Sequence, residues 1–167
     1  MATTTTLQPN TEINGSVTDN QEVSIEMAHS LSNVLADTYL LYLKTQNFHW
    51  NVQGNLFYGI HNLLEEQYKE LAAAVDDIAE QIRVLGLPAP GSFREFMNLS
   101  SLSEAKGSYD AEEMIAELAE DHLTLAAAAT KLLQQAERNN DISSVEILSG
   151  RISCHEKQSW MLKSILR

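Results

Sequence analysis

The chain has 167 residues, 44% of them hydrophobic, and its eleven Lys and Arg against twenty-three Asp and Glu give a net charge of −12. That length fits one domain with a real core, and the acidity argues against a general polyanion binder and points to cations. With seven glycines, three prolines and one cysteine, long helices without an internal disulfide are expected.

Residues 1–22 are rich in Thr, Asn and Gln and are expected as a mobile tail, with one domain over 23–167. They carry neither the basic nor the apolar segment of a secretory leader, and no run approaches a membrane span, so a soluble cytoplasmic protein is expected. A first helix is expected to start near Asp19 or Ser24, since Asp19 and Glu22 have capping-box spacing. Leu31, Val34, Leu35, Thr38, Leu41, Tyr42 and Phe48 then recur at threes and fours, until NVQGN turns the chain at Gly54. A second helix runs from about Leu56 to Leu85 through Ile60, Leu63, Leu64, Leu71, Val75, Ile78 and Ile82, and Gly86, Pro88 and Pro90 end it. Residues 86–109 form a long link, with a short helix expected over 93–99.

A third helix starts at Asp110, again with capping-box spacing to Glu113, and reaches Arg138 through Met114, Ile115, Leu118, Leu125, Leu132 and Leu133. Asp141 caps a fourth, reaching Ile165, whose expected inward stripe is Val145, Leu148, Ile152, His155 and Trp160. The fold class is therefore all-α. Four long helices in two pairs, joined by a crossover, match the ferritin-like bundle arrangement.

The chemistry gathers around the second helix. Two of the five histidines, His49 and His61, stand twelve residues apart in FHWNVQGNLFYGIHNLLEE, with Glu65 and Glu66 following. Asp76 and Glu80 lie four apart and project from one side of the same helix. Imidazole with carboxylate suits iron, and also zinc, so the candidate ligands are His49, His61, Glu65, Asp76 and Glu80. Glu65 and Glu66 read equally well as an ordinary solvated face. His61 and Asp76 are about 22 Å apart along a continuous helix, too far to share a metal within one chain. Two copies of that helix, antiparallel about a two-fold axis near residue 69, would bring them together. A metal site inside one bundle needs two Glu-x-x-His pairs, and only Glu26–His29 has that spacing. His122, His155 and Cys154 read as structural.

The stretch NFHWNVQGNLFYGIHNLLEEQYKELAAAVDDIAEQIRVLG and the ending HEKQSWML resemble the Dps family, the miniferritins named for DNA protection during starvation. The resemblance covers about residues 24–167. It implies a four-helix bundle with a short helix in the crossover, assembled as a hollow dodecamer. It implies ferroxidase sites at two-fold interfaces, each holding two irons, with His49, His61 and Glu65 from one subunit and Asp76 and Glu80 from its neighbour. Glu65 departs slightly from the family, which often has Asp there. Trp50 matches an aromatic beside the site that absorbs oxidising equivalents. The implied reaction is oxidation of Fe(II), preferably by hydrogen peroxide, with ferric mineral stored inside the shell. Iron entry in the family runs through acidic three-fold pores, for which Asp141 and Glu146 are the candidates here.

Two other readings compete. One is a DNA-binding particle whose protection is physical. Duplex affinity comes largely from phosphate neutralisation, yet no Lys or Arg precedes Lys44 and the C-terminal end carries no basic extension, so little DNA binding is expected. The other is a metal buffer that binds iron or zinc without oxidising it.

Overall fold

The computed structural model describes residues 12–107 and 109–166, with side chains from Asn20 onward. It contains helices α1 (Glu12–Asn51), α2 (Phe57–Val84), α3 (Phe93–Leu99), α4 (Ala111–Arg138) and α5 (Ile142–Ile165), and no strand among the described residues. No described helix is long and apolar enough to cross a membrane.

The caps expected from sequence start α4 and α5, and α3 has one that the sequence reading did not name. Ser92 and Glu95 form a full capping box at α3, and Asp110 and Glu113 form another at α4. Asp141 accepts from the Ser144 amide at 3.1 Å and starts α5. At the end of α2, Gly86 takes φ +98°, Leu87 N–H bonds Ile82 O and Gly86 N–H bonds Arg83 O. That is a Schellman closure, which needs the left-handed glycine.

Two expectations are corrected. α1 begins at Glu12, so residues 12–22 are helical rather than part of a tail, and Asp19 and Glu22 fall inside the helix. No proline follows Pro9 until Pro88, so nothing forces a break between Glu12 and Asn51. The remainder of the expected tail lies outside the described residues. Trp160 is not on the inward stripe of α5 but 67% exposed. It stands five residues past His155, about 140° round the helix. The inward positions are Ser144, Leu148, Arg151, His155, Ser159 and Leu162.

α1 pairs with α2 and α4 with α5, while α1 also packs on α3 and α4. Two apolar clusters fill the bundle. Met27, Leu31, Leu35, Ile78, Ile82, Leu132 and Leu148 belong to the first. Leu41, Phe48, Ile60, Leu64, Leu71, Ile115, Leu118 and Leu162 belong to the second. Buried polar groups tie the elements together. Lys44 donates to Glu117 at 2.6 Å and to Asp121 at 2.8 Å, joining α1 to α4. Asp37 of α1 accepts from Ser100 Oγ, Ser101 N and Oγ, and Leu102 N, pinning the end of the link.

His122 and His155 meet in the interior through their Nδ1 atoms, 2.9 Å apart. Burial pushes the His122 pKa from 6.5 down to about 4, helped by the Arg151 charge and opposed by Glu70. His155 is also lowered, by burial first, then by His122 and Arg151. Glu70 on α2 and Arg151 and Cys154 on α5 are the other ionisable groups of this neighbourhood. An unfolded imidazole binds its proton near 6.5, so between that pH and about 4 the unfolded chain holds more protons than the folded one. Stability therefore falls as pH falls through this window, by up to about 3 kcal/mol from His122 alone. Guanidinium unfolding midpoints measured from pH 7 to 4 should show this slope, and His122→Gln should flatten it.

Candidate metal centre

The corner between α1 and α2 builds the site. Phe48 is buried and anchors the last turn of α1, and Ile60 and Leu64 anchor the start of α2. Gly54 turns the chain between them with φ +102°, a conformation that costs a residue with a side chain far more than glycine. This corner lays His49 and His61 against each other with ring centroids 3.8 Å apart and planes 19° from parallel.

Each ring also holds the other's backbone. His49 Nδ1 lies 2.8 Å from His61 O, and His61 Nδ1 lies 2.9 Å from His49 O. A carbonyl only accepts, so both Nδ1 atoms carry a proton, and in the neutral rings both Nε2 atoms keep a lone pair. A neutral imidazole with Nδ1–H bonded to a carbonyl is the form that ligates metal. His49 is 7% exposed and His61 half-buried. Phe57 lies 4.9 Å from the His61 ring, and Tyr68 meets His49 edge-on at 5.1 Å.

Glu65 stands one turn beyond His61, paired with Lys69. The Lys69 ammonium holds its carboxyl below the usual carboxylate range, with smaller help from His49 and His61. Lys69 pairs with one oxygen of Glu65, so a metal that takes Glu65 competes with it or uses the other oxygen. Asp76 and Glu80 are exposed further along α2. Because α2 is unbroken from Phe57 to Val84, Asp76 stands roughly 22 Å and Glu80 roughly 28 Å from His61 along its axis. Among the described residues, no three or more His, Cys, Asp and Glu side chains converge to hold a metal within the single chain. One chain thus presents His49, His61 and Glu65 at one end of α2 and Asp76 and Glu80 toward the other.

Trp50 follows His49 on the surface, 62% exposed. Asp141 spends one oxygen on its helix cap, while its Oδ2 is buried without a partner among the described residues. Glu146 is exposed on α5. Tyr68 and Lys69 are the site neighbours that sequence reasoning missed. Tyr68 follows His61 by seven residues, the spacing of one helix face, and that signal could have found it.

Four long helices in two pairs with a short helix in the crossover make the ferritin-like architecture, and the ferritin-like domain model matches residues 28–167. The chain is 35% identical to an uncharacterised low temperature-induced protein of a Nostoc species, over 92% of this chain and 86% of that one. It is 32% identical to DNA protection during starvation protein 2 of Bacillus anthracis, over 81% of this chain and 93% of the relative. The Dps protein of Vibrio cholerae, described as a member of a broad superfamily of ferritin-like diiron-carboxylate proteins, superposes with a TM-score of 0.85. That match has 28% identity and covers 88% of this chain and 92% of that one. The chain belongs to the Dps branch of the ferritin-like family.

Proposed function

We propose that this protein is a miniferritin ferroxidase, cytoplasmic and assembled as a hollow dodecamer. At each two-fold interface His49, His61 and Glu65 of one copy face Asp76 and Glu80 of another, and the pair of half-sites takes two Fe(II) as substrate. Two Fe(II), one hydrogen peroxide and two protons give two Fe(III) and two waters, so no hydroxyl radical is released. The carboxylates favour the ferric product, which is then stored as mineral within the shell. Trp50, beside His49, absorbs stray oxidising equivalents, and Asp141 and Glu146 are the candidates for the iron entry pore.

The observation that carries this reading is the reciprocal histidine pair. Both tautomers are fixed so that two Nε2 lone pairs stay available beside a carboxylate. The exposed Trp50, Tyr58, Val84, Phe93 and Trp160 supply apolar surface for assembly. Zinc could occupy the same donors, and a non-oxidising metal buffer is the outcome to test against.

The test loads the assembly anaerobically with Fe(II), adds half an equivalent of peroxide and follows ferric absorbance beside an oxygen-only control. Fast, complete oxidation with peroxide and slow oxidation with oxygen is expected. Oxidation no faster than in protein-free buffer would move the function to metal buffering. The −12 charge and the lack of Lys or Arg before Lys44 oppose duplex binding. A gel shift at about 0.15 M salt, the physiological ionic strength, should therefore show no stable DNA complex.

A further inference from the structure

α2 and α5 meet through polar side chains. Gln81 donates to Ser144 Oγ at 3.1 Å, and Gln67 Nε2 donates to Gln158 Oε1 at 2.9 Å. The Arg151 guanidinium forks onto both oxygens of Glu70, with Nη2 3.0 Å from Oε2. His155 lies one turn beyond Arg151 and one turn before Gln158, and it reaches across to His122 of α4. These groups form a polar waist inside a bundle whose apolar side chains fall into two separate clusters.

Three atoms of the waist are sealed from solvent and have no partner among the described residues: Gln67 Oε1, His122 Nε2 and Arg151 Nε. Their residues are 1%, 1% and 8% exposed. Buried polar atoms are almost always hydrogen-bonded, to ordered water where protein groups do not reach them. Exchanging the Gln67 amide oxygen and nitrogen only replaces an orphaned acceptor with an orphaned donor. Arg151 Nε–H can only donate. His122 Nε2 donates or accepts according to which Nδ1 holds the proton shared with His155. Whatever completes these atoms must accept at Arg151 Nε and donate at Gln67 Oε1. Small, uncharged groups suit both places, because Arg151 repels a cation and Glu70 an anion.

We propose that the waist of the bundle is an internal hydration site. Ordered water there accepts from Arg151 Nε–H, donates to Gln67 Oε1 and completes His122 Nε2, linking α2, α4 and α5. The site is separate from the donors of the α1–α2 corner and stands or falls independently of the ferroxidase reading.

A high-resolution crystal structure of the whole assembly, loaded anaerobically with Fe(II) and measured at the iron absorption edge, tests it. Non-anomalous water density within about 3.2 Å of at least two of the three atoms, repeated in every subunit, is the expected result. A dry waist, or side chains re-paired directly with one another, would overturn the proposal. An anomalous peak at the waist would do the same by assigning a metal instead. In Gln67→Met, which leaves the Arg151–Glu70 pair in place, the density on the α2 side should disappear while Fe(II) oxidation is unchanged. Density that persists there unaltered would show that Gln67 does not hold it.

Discussion

Refolding His49→Ala/His61→Ala chains together with Asp76→Asn/Glu80→Gln chains should restore Fe(II) oxidation that neither variant supports alone. Loss of groups that merely orient a metal ligand costs about 10- to 100-fold, so losing two ligands should cost each homo-oligomer at least about 100-fold. α2 is one continuous helix from Phe57 to Val84, and its two donor groups cannot close on the same metal within a chain. Across a two-fold axis, a mixed pair holds one site with both sets broken and one site with both intact. With random pairing of equal amounts, about a quarter of all sites should be whole. Stopped-flow oxidation with peroxide, on assemblies whose mixed composition is verified by mass spectrometry, reads this directly. Verified mixing without any recovery would mean that the two donor sets do not combine across the interface.

Lys44→Met should be the most destabilising single change in the bundle, costing about 3–5 kcal/mol in guanidinium unfolding. The Lys44 side chain is almost fully buried between Glu117 and Asp121. Burial disfavours its charge, yet the hydrogen bonds it donates to Asp121 and Glu117 outweigh that, and its pKa is raised. Asp121 is raised by its own burial and by the neighbouring Glu117 and Asp37 charges, with Lys44 opposing. Removing the ammonium leaves two carboxylates facing each other with no counter-charge. The control is Lys44→Met combined with Glu117→Gln and Asp121→Asn, which should recover much of the loss because a removed charge network costs less than a broken one. If Lys44→Met alone unfolds like the parent chain, the triad is not what holds α1 to α4.

The elements that the sequence disclosed are those whose local chemistry agrees with their tertiary role. Ser92, Asp110 and Asp141 sit where a capping residue must sit, and α2 carries its apolar residues on the face it buries. α5 does not. Its inward face holds Ser144, Arg151, His155 and Ser159, while Trp160 and Ile142 face outward, so hydrophobicity alone marks the wrong positions. At the site, His49 and His61 were legible from their type and spacing. Their mutual grip on each other's carbonyls was not, because it depends on the turn at Gly54 closing at one angle. The Lys69 hold on Glu65 was equally hidden, since an i,i+4 acid–base pair on a helix is usually only surface decoration.

The crossed histidines carry a consequence for timing. Their grip is made wholly within one hairpin, so the nitrogen half of the centre is set as soon as α1 and α2 close. In the proposed two-fold site the carboxylates arrive only with a second chain. On that reading a newly synthesised subunit would hold its histidines ready before any partner docks, and oxidation would wait on assembly. Iron would meet its oxidant only where a shell already exists to receive the product.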